Sequence, residues 1–302
     1  MWPKKTGELQ NHHMDSTRWN EFRFRDDDIV IATWAKAGTT WTQQIISQLI
    51  FRGAEDIPVT DLAPWLDLRI FPLDELMTGL EVQTHRRFVK THLPVDALVF
   101  SPKAKYIYLA RDGRDVLWSM HHHHASMTEQ FFDAVNNTPG LVGPSLGPPR
   151  NDIVAYFHEW LDGDGFPFWP FWSNIQSWWD IRHLPNVLLL HFNELKADMP
   201  SGIRRLAHFL DINIDESLWP TIVEHCEFDY MKRNANTLSE HFDETLFQGG
   251  LGEFINKGTN GRWRDRLSSS DSEKYERAAS EHLSQDCATW LATGQMSDQD
   301  LI

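Results

Sequence analysis

Residues 33–41, with the sequence TWAKAGTTW, combine the residue types that bind phosphate in a tight loop. Gly38 allows the backbone to approach a ligand closely, and Lys36 supplies a positive charge. Thr39 and Thr40 add hydroxyl donors where a helix begins, and a helix N-terminus offers unpaired N–H groups at the positive end of its dipole. The loop is therefore predicted to bind an anion. Its lysine stands two places before the last glycine, which argues against the nucleoside-triphosphate loop GxxxxGK[ST] of Walker-type kinases.

A second candidate anion site follows the apolar run at residues 106–110. Arg111 leaves the end of this run, and Ser119 lies eight residues later in a helical pattern, so a guanidinium and a hydroxyl can bind one phosphate. Taken alone, a structural ion pair between Arg111 and Asp115 is an equally good interpretation. Beside the first loop the phosphate interpretation gains weight, because two such sites imply a nucleotide phosphorylated at two positions.

Two further segments carry candidate chemistry. His92 comes just after the predicted strand at residues 87–90, where an imidazole that titrates near neutral pH can act as a general base. A single histidine is weak evidence in a chain that has 15 of them. Residues 254–264 combine two glycines with three cations, which is typical of an anion clamp but also of a solvated turn.

Short apolar runs alternate with longer amphipathic stretches, which predicts an α/β fold with a mostly parallel central sheet flanked by helices. The first unit is a P-loop-like strand-loop-helix. Strands are predicted at residues 29–33, 87–90, 105–110 and 186–191. The carboxyl ends of parallel strands meet at one edge of a sheet, so motifs that are far apart in sequence can converge there. Segments 138–149 and 248–253 are rich in Pro or Gly and are predicted to be irregular, either as lids or as solvated loops.

Composition narrows the function further. The 302 residues are expected to form one α/β domain over 1–302, with the motifs between about 28 and 265. Because 28 basic and 43 acidic residues give a net charge of −15, nucleic acid and anionic membranes are not expected as partners. The sequence has no apolar signal core and no segment long enough to span a bilayer. With only Cys226 and Cys287, it is expected to be a cytoplasmic protein.

Four motifs in this order resemble those of the cytosolic sulfotransferase family, which uses 3′-phosphoadenosine 5′-phosphosulfate (PAPS). The family's phosphosulfate loop TYPKSGTTW corresponds to residues 33–41, and its KTHLP segment occurs unchanged at residues 90–94. Its arginine with a serine eight residues later matches Arg111 and Ser119. Its RKGxxGxWK loop is similar to NKGTNGRWR at residues 256–264.

The resemblance implies a role for each matched residue. It places the 5′-phosphosulfate on the phosphosulfate loop, the adenine between two aromatic rings, and the 3′-phosphate on the Arg111 motif and the 256–264 loop. His92 inherits the role of base, Lys36 neutralises the leaving oxygen, Lys90 supports the sulfuryl oxygens, and no metal is required. The implied cofactor-binding residues are Lys36, Ala37, Gly38, Thr39, Thr40, Trp41, Arg111, Ser119, Phe192, Phe228, Asn256, Lys257 and Gly258.

The chain departs from the family pattern in places. Ala37 replaces a serine and Asn256 replaces an arginine, so a hydroxyl and a charge are lost from the cofactor site, with Arg262 or Arg264 as a substitute for the charge. Weaker cofactor binding is expected rather than loss of activity. Residues 264–273 resemble the family's dimer segment KxxxTVxxxE with two serines in place of Thr-Val, so either a monomer or a homodimer is expected.

The acceptor is harder to predict. Fourteen tryptophans are present and most are expected in the core, but Phe168 and Trp169 lie in the densest aromatic cluster, where the family lines its acceptor pocket. They are candidates for contact with an aromatic or apolar hydroxyl compound. The histidines at 121–124 are not expected to bind a metal, because consecutive helical residues point in different directions. One of them, with His123 as the candidate, is expected to face the acceptor.

The sequence thus predicts a PAPS-dependent sulfotransferase that acts on a small hydroxyl acceptor. Two alternatives stay open. A nucleotide-dependent phosphotransferase on the same fold would need a lysine after Gly38 and an acidic magnesium ligand, and neither is evident. The second alternative is a non-catalytic protein that keeps the nucleotide site, and the intact His92 and Lys36 argue against it.

Overall fold

Four parallel strands form the centre of the computed structural model, which describes residues 2–239 and 244–296. Their order across the sheet is β2-β1-β3-β4. All four predicted strands are confirmed to within one residue at either end, as is the parallel α/β class. The strands are β1 (Ile29–Ala32), β2 (Phe88–Thr91), β3 (Lys105–Ala110) and β4 (Val187–His191).

Both faces of the sheet are buried, which explains why the strands are continuous apolar runs. In β1, Ile29 and Ile31 pack into one hydrophobic cluster, while Val30 and Ala32 pack into the other. The register pairs Ala32 with Thr91 of β2 and with Tyr108 of β3. The carboxyl ends of the strands therefore lie together at one edge.

Helices cover both faces of the sheet. Short 3₁₀ helices lie at Ser16–Asn20, Val95–Ala97, Glu216–Leu218 and Ala235–Thr237. The α-helices of the described residues are α1 (Thr39–Ile50), α2 (Val59–Leu62), α3 (Leu73–Glu81), α4 (Gly113–Ala125), α5 (Glu129–Asn137), α6 (Ile153–Asp162), α7 (Trp172–Asp180), α8 (Phe192–Ala197), α9 (Met199–Phe209), α10 (Trp219–His225), α11 (Phe228–Arg233), α12 (Gly250–Phe254), α13 (Ser269–His282) and α14 (Gln285–Thr293). Within the described ranges, no helix is long and apolar enough to cross a bilayer.

The start of α4 is fixed by its N-cap, immediately after the end of β3. The Asp112 carboxylate accepts a hydrogen bond from the backbone N–H of Arg114 (2.8 Å) and forms an ion pair with the Arg114 guanidinium (2.7 Å). The backbone N–H of Gly113 donates to the Tyr275 hydroxyl (2.9 Å). These contacts hold the β3–α4 turn in place, so that Arg111 has a defined position.

The two segments predicted to be irregular differ in the structure. Residues 138–149 contain neither helix nor strand, as predicted. The prediction for 248–253 was wrong, because residues Gly250–Phe254 form α12. Leu251 of this helix is 2% exposed and packs in the same hydrophobic cluster as Met231 and Ala235. Burial of this leucine outweighs the cost of about 1 kcal/mol that a glycine brings to a helix.

Candidate active site

The predicted motifs converge on one cavity of about 1280 Å³ at the carboxyl ends of the strands. The Lys36 loop follows β1, His92 follows β2, Arg111 follows β3 and Phe192 follows β4, and all of these line the cavity. One side of the cavity, here called the cationic half, is lined by Lys36, Gly38, Thr39, Thr40, Lys90, Arg111, Ser119, Lys257 and Gly258. The other side, the aromatic half, is lined by His13, Trp65, His123, Phe131, Phe168, Trp169 and Phe247.

The loop after β1 has a backbone that only glycine allows at one position. Gly38 has φ +122°, and a Cβ there would lie 2.8 Å from Leu109 Cδ2 and 3.1 Å from Phe192 Cδ2. Gly38 is also the N-cap residue of α1, where no side chain caps the helix. The first N–H groups of α1 are thus left without a side-chain partner beside the cavity, which is the arrangement that favours an anion.

Three cations lie close together in the cationic half. Burial, followed by the neighbouring charges of Lys90 and Arg111, lowers the pKa of Lys36 to about 7. Burial also lowers the pKa of Lys90 to about 8, although Asp67 opposes this shift. Neither lysine forms an ion pair with any residue that the structure describes, and Lys36 Nζ lies 3.6 Å from the centroid of the Phe254 ring. An anionic ligand would neutralise this uncompensated charge.

Arg111 joins the cationic half to the loop at residues 256–264. Its Nε donates to Asn260 Oδ1 (2.9 Å), its Nη2 donates to the carbonyl of Thr259 (2.8 Å), and its guanidinium stacks over Phe192 at 4.3 Å. Asp115 accepts a hydrogen bond from Gly261 N–H (2.7 Å). The β3–α4 turn therefore holds this loop against the cavity, and the loop brings Lys257 to the same lining as Ser119.

Two aromatic residues predicted to enclose a base lie along the same lining. Trp41 is fixed by a hydrogen bond from its Nε1 to the Cys226 carbonyl (2.8 Å). Phe228 is 39% exposed and packs on Gly258, where a Cβ would come within 2.6 Å of the ring. The structure brings both rings to the cavity, and their part in stacking stays a prediction.

His92 is held in one orientation at the boundary between the two halves. Its Nδ1 lies 2.8 Å from the carbonyl of Thr33, and its ring packs between Trp65 (centroids 4.6 Å apart) and Trp169 (5.7 Å). A carbonyl only accepts hydrogen bonds, so Nδ1 carries the hydrogen and Nε2 keeps a lone pair. Burial, with Lys90 second, lowers the pKa of His92 to about 3. The imidazole is therefore neutral near pH 7, and its Nε2 can accept a hydrogen bond.

The four histidines at 121–124 point in different directions, as predicted for a helix. His123 lines the cavity and stacks on Phe247, with ring centroids 4.6 Å apart. His121 bonds the carbonyl of Arg150 (2.8 Å), and His124 bonds that of Gly147 (2.7 Å). Within residues 2–239 and 244–296, no group of three or more His, Cys, Asp or Glu side chains is arranged to hold a metal ion.

Two positions of the predicted cofactor-binding set make contacts within the chain. Ala37 is not part of the cavity lining, because it is 1% exposed and its N–H donates to the Trp34 carbonyl (3.3 Å). Asn256 lines the cavity but its amide bonds His122 Nε2 (2.8 Å). Every member of the set except Ala37 therefore lines the cavity: Lys36, Gly38, Thr39, Thr40, Trp41, Arg111, Ser119, Phe192, Phe228, Asn256, Lys257 and Gly258.

Arg262 and Arg264, the two candidate substitutes for the missing arginine charge, occupy different positions on the 256–264 loop. Arg262 lines the cavity and donates to Asn256 Oδ1 (3.4 Å), whereas Arg264 lies against the Trp263 ring at 4.8 Å. Sequence reasoning missed Lys196, which also lines the cavity and donates to the Gly258 carbonyl. Its only sequence signal was a weak similarity to the family over residues 186–196.

A family model described as the sulfotransferase domain matches residues 26–286 of this chain. A glycolipid sulfotransferase of Mycobacterium bovis is 27% identical over 93% of this chain and 92% of its own length. Human sulfotransferase 1E1 is 30% identical over 85% of this chain and 83% of its own length. Among solved structures, mouse sulfotransferase SULT7A1 complexed with PAP has a TM-score of 0.70 at 22% identity and covers 91% of this chain and 92% of its own. That structure shares the α/β fold described above.

Proposed function

We propose that this chain, which belongs to the sulfotransferase family, moves the sulfuryl group of PAPS to a hydroxyl of a small aromatic or apolar acceptor. One observation carries the proposal. A single cavity holds an uncompensated cationic loop at the end of β1 and a neutral, oriented imidazole at the end of β2. The first feature suits an anionic donor, and the second suits a hydroxyl that must lose a proton.

The residues of the cationic half fit a nucleotide with phosphates at two positions. Lys36, Thr39 and Thr40 at the start of α1 would hold the 5′ end, where Gly38 leaves room for close approach. When bound, PAPS supplies an activated sulfuryl group joined to its 5′-phosphate. Mouse SULT7A1 was solved as a complex with PAP, the desulfated product, which supports the same ligand for this chain.

The other end of the nucleotide would bind on the far side of the cationic half. Arg111, Ser119, Lys257 and Gly258 would hold the 3′-phosphate, with Arg262 supplying the charge that Asn256 lacks. Trp41 and Phe228 would enclose the adenine, and Phe192 would complete this wall.

In the proposed reaction His92 Nε2 takes the proton of the acceptor hydroxyl as its oxygen attacks sulfur. The carbonyl of Thr33 accepts the Nδ1–H bond and so stabilises the imidazolium that forms. Lys36 neutralises the charge that develops on the leaving oxygen, and Lys90 does so for the sulfuryl oxygens. The proposal includes no metal ion, because these cations can supply the charge neutralisation.

The aromatic half favours an acceptor with an apolar or aromatic body. Phe168, Trp169 and His123 would contact it, and Trp65 and Phe131 extend the same surface. The Mycobacterium bovis relative is named a glycolipid sulfotransferase, so a glycolipid belongs among the acceptors to be tried.

The test is an assay with radiolabelled PAPS over phenols, alcohols, amines and a glycolipid, together with calorimetric binding of PAP and ATP. We expect label to appear on a hydroxyl acceptor and PAP to bind more tightly than ATP. Tight PAP binding without transfer to any acceptor would instead favour a non-catalytic binding protein. Preference for ATP would favour a phosphotransferase.

A cytoplasmic location and a monomeric or homodimeric state complete the proposal. Cys226 and Cys287 are free and buried, as suits a reducing compartment. Ser268, which stands at the threonine of the family's dimer segment, caps α13 by a reciprocal hydrogen-bond pair with Asp271. The segment therefore has a role within one chain.

A further inference from the structure

A histidine pair on the N-terminal segment, His12 and His13, lies beside the aromatic half and takes no part in the reaction proposed above. His13 is 3% exposed and lines the cavity. Its ring centroid lies 6.1 Å from that of Trp65 and 6.0 Å from that of Trp169. These are the same two indoles that flank His92. His13 and His92 therefore share one aromatic surface of the cavity.

The segment that carries His13 is held firmly in place. Asn11 Oδ1 accepts hydrogen bonds from the N–H groups of His13 (2.8 Å) and Met14 (2.9 Å), while Asn11 Nδ2 donates to the carbonyl of Phe168 (3.2 Å). The backbone N–H of Arg69 donates to the His13 carbonyl (2.8 Å). The position of the imidazole is thus fixed by the same residues that shape the aromatic half.

The hydrogen bonds of the pair also determine where the hydrogens lie. His12 Nε2 is 2.7 Å from the carbonyl of Pro167, so this nitrogen carries the hydrogen. Burial lowers the pKa of His12, and burial together with the neighbouring histidines lowers the pKa of His13 well below its usual value, so both rings are neutral. His12 Nδ1 is then an acceptor, and His13 Nδ1, which is hydrogen-bonded to it, is the donor.

This arrangement leaves a lone pair on His13 Nε2. The atom has no hydrogen-bond partner among the described residues. It is also not fully buried, so a ligand in the cavity can reach it. His92 Nε2 and His13 Nε2 are therefore both imidazole acceptors at the aromatic half, and His123 lines the same cavity farther along, stacked on Phe247. His92 has a task in the proposed reaction, whereas His13 is a hydrogen-bond acceptor surrounded by the rings of Trp65, Phe131, Phe168 and Trp169.

We propose that His13 Nε2 accepts a hydrogen bond from a second hydroxyl of the acceptor, so that the enzyme selects aromatic diols over matched mono-hydroxyl compounds. This inference rests on the proposed function and assigns His13 to specificity rather than to proton transfer. A mono-hydroxyl acceptor would cover His13 without supplying a donor. The site would then hold an unpaired polar atom, which is how polar sites reject analogues that lack one group.

The test compares an aromatic diol with the phenol that lacks its second hydroxyl and with its monomethyl ether. The measured quantity is the ratio of kcat/KM for the diol to that for each partner. We expect a ratio of about 3 to 10 in the unmutated protein, as one neutral hydrogen bond allows, and a ratio near 1 in His13→Leu. His124→Leu is the matched control, because His124 is a buried imidazole nearby that bonds the Gly147 carbonyl and does not line the cavity. The ratio of kcat/KM for the diol to that for each partner should be unchanged in His124→Leu.

An unchanged ratio in His13→Leu, or an equal loss of rate on all three acceptors, would overturn the assignment. Normal transfer without any preference for the diol would refute only the role of His13. Failure to transfer to any acceptor in the wider panel would refute the proposed function itself.

A second measurement needs neither turnover nor a variant. In the complex of the unmutated protein with PAP, the nitrogen NMR resonance of His13 Nε2 should shift to lower frequency when the diol is added. The monomethyl ether should leave it in place. The same response to both compounds, or no response to either, would overturn the proposal even if His13→Leu failed to fold.

Discussion

The two halves of the cavity recognise their ligands by different means. The cationic half uses backbone geometry and charge, since Gly38 allows close approach at a helix N-terminus and Lys36 and Arg111 lie nearby. The aromatic half uses shape, with rings such as Trp65 and Phe168 around His92 and His13. The cationic half suits a ligand of fixed charge. In the aromatic half, substitution of a side chain changes the shape of the cavity and with it the ligand that fits. Variants in either half should therefore separate binding of the nucleotide from binding and reaction of the acceptor.

The largest difference between the effect on nucleotide binding and the effect on turnover is expected from His92→Ala. Removing a general base should lower kcat by about 10²- to 10⁴-fold, while PAP affinity changes little because the cationic half is intact. Stopped assays with radiolabelled PAPS and calorimetry with PAP measure the two effects. His158→Ala, at a half-exposed surface histidine paired with Asp271, serves as the control. Turnover near the normal rate in His92→Ala would contradict the base assignment.

Arg111→Ala should give the opposite pattern. Loss of a charged hydrogen-bonding group from a buried anion site is expected to weaken PAP binding by at least about 30-fold, with a much smaller effect on the KM of the acceptor. The unmutated protein should bind PAPS more tightly than adenosine 5′-phosphosulfate, and the variant should lose this preference. Arg264→Ala is the matched control, since Arg264 lies on the same loop outside the cavity lining. Equal affinity for the two nucleotides in the unmutated protein would argue against a 3′-phosphate site.

The pH dependence of PAP affinity tests the charge of the cationic half. With the pKa of Lys36 near 7 in the free protein, a bound dianion should raise that pKa, so binding favours the protonated lysine. Affinity is then fully present below about pH 7 and falls above it, by up to about tenfold per pH unit for one coupled proton. Lys36→Met should bind PAP weakly and show a shallower fall between pH 7 and 9. Affinity that rises over this range would contradict this role of Lys36.

Phe168→Leu should have the smallest effect of these variants. Its effect should be confined to binding of the acceptor in the aromatic half. Loss of part of a buried ring is expected to raise the KM of an aromatic acceptor by about 3- to 10-fold and to leave PAP affinity unchanged. Steady-state kinetics at saturating PAPS measure the first quantity. A matching loss of PAP affinity would mean that the two halves are not independent.

The contrast between the two halves explains which parts of the structure could be predicted from the sequence. Strands such as β1 and β3 are short apolar runs covered on both faces, and the loop at 33–41 carries its chemistry in consecutive residues, so both were predictable. Of the aromatic half, the sequence predicted only Phe168, Trp169 and His123. Its other members come from separate segments, and nothing local marks His13 or Trp65 as neighbours of His92.

Two details could be decided only by tertiary packing. Glycine-rich composition predicted an irregular segment at 248–253, but burial of Leu251 stabilises a helix there. The sequence offered Arg262 and Arg264 equally as substitutes for the charge lost at Asn256. Docking of the 256–264 loop on Arg111 and Asp115 brings only Arg262 to the cavity.

The most direct test of the proposed donor site is a crystal structure of the protein with PAP. We expect the 5′-phosphate on the loop between Lys36 and Thr40, the 3′-phosphate against Arg111 and Ser119, and His92 Nε2 facing the space beyond the 5′-phosphate. PAP bound outside this cavity, bound in the reverse direction, or bound with its 5′ end remote from His92 would contradict the proposal.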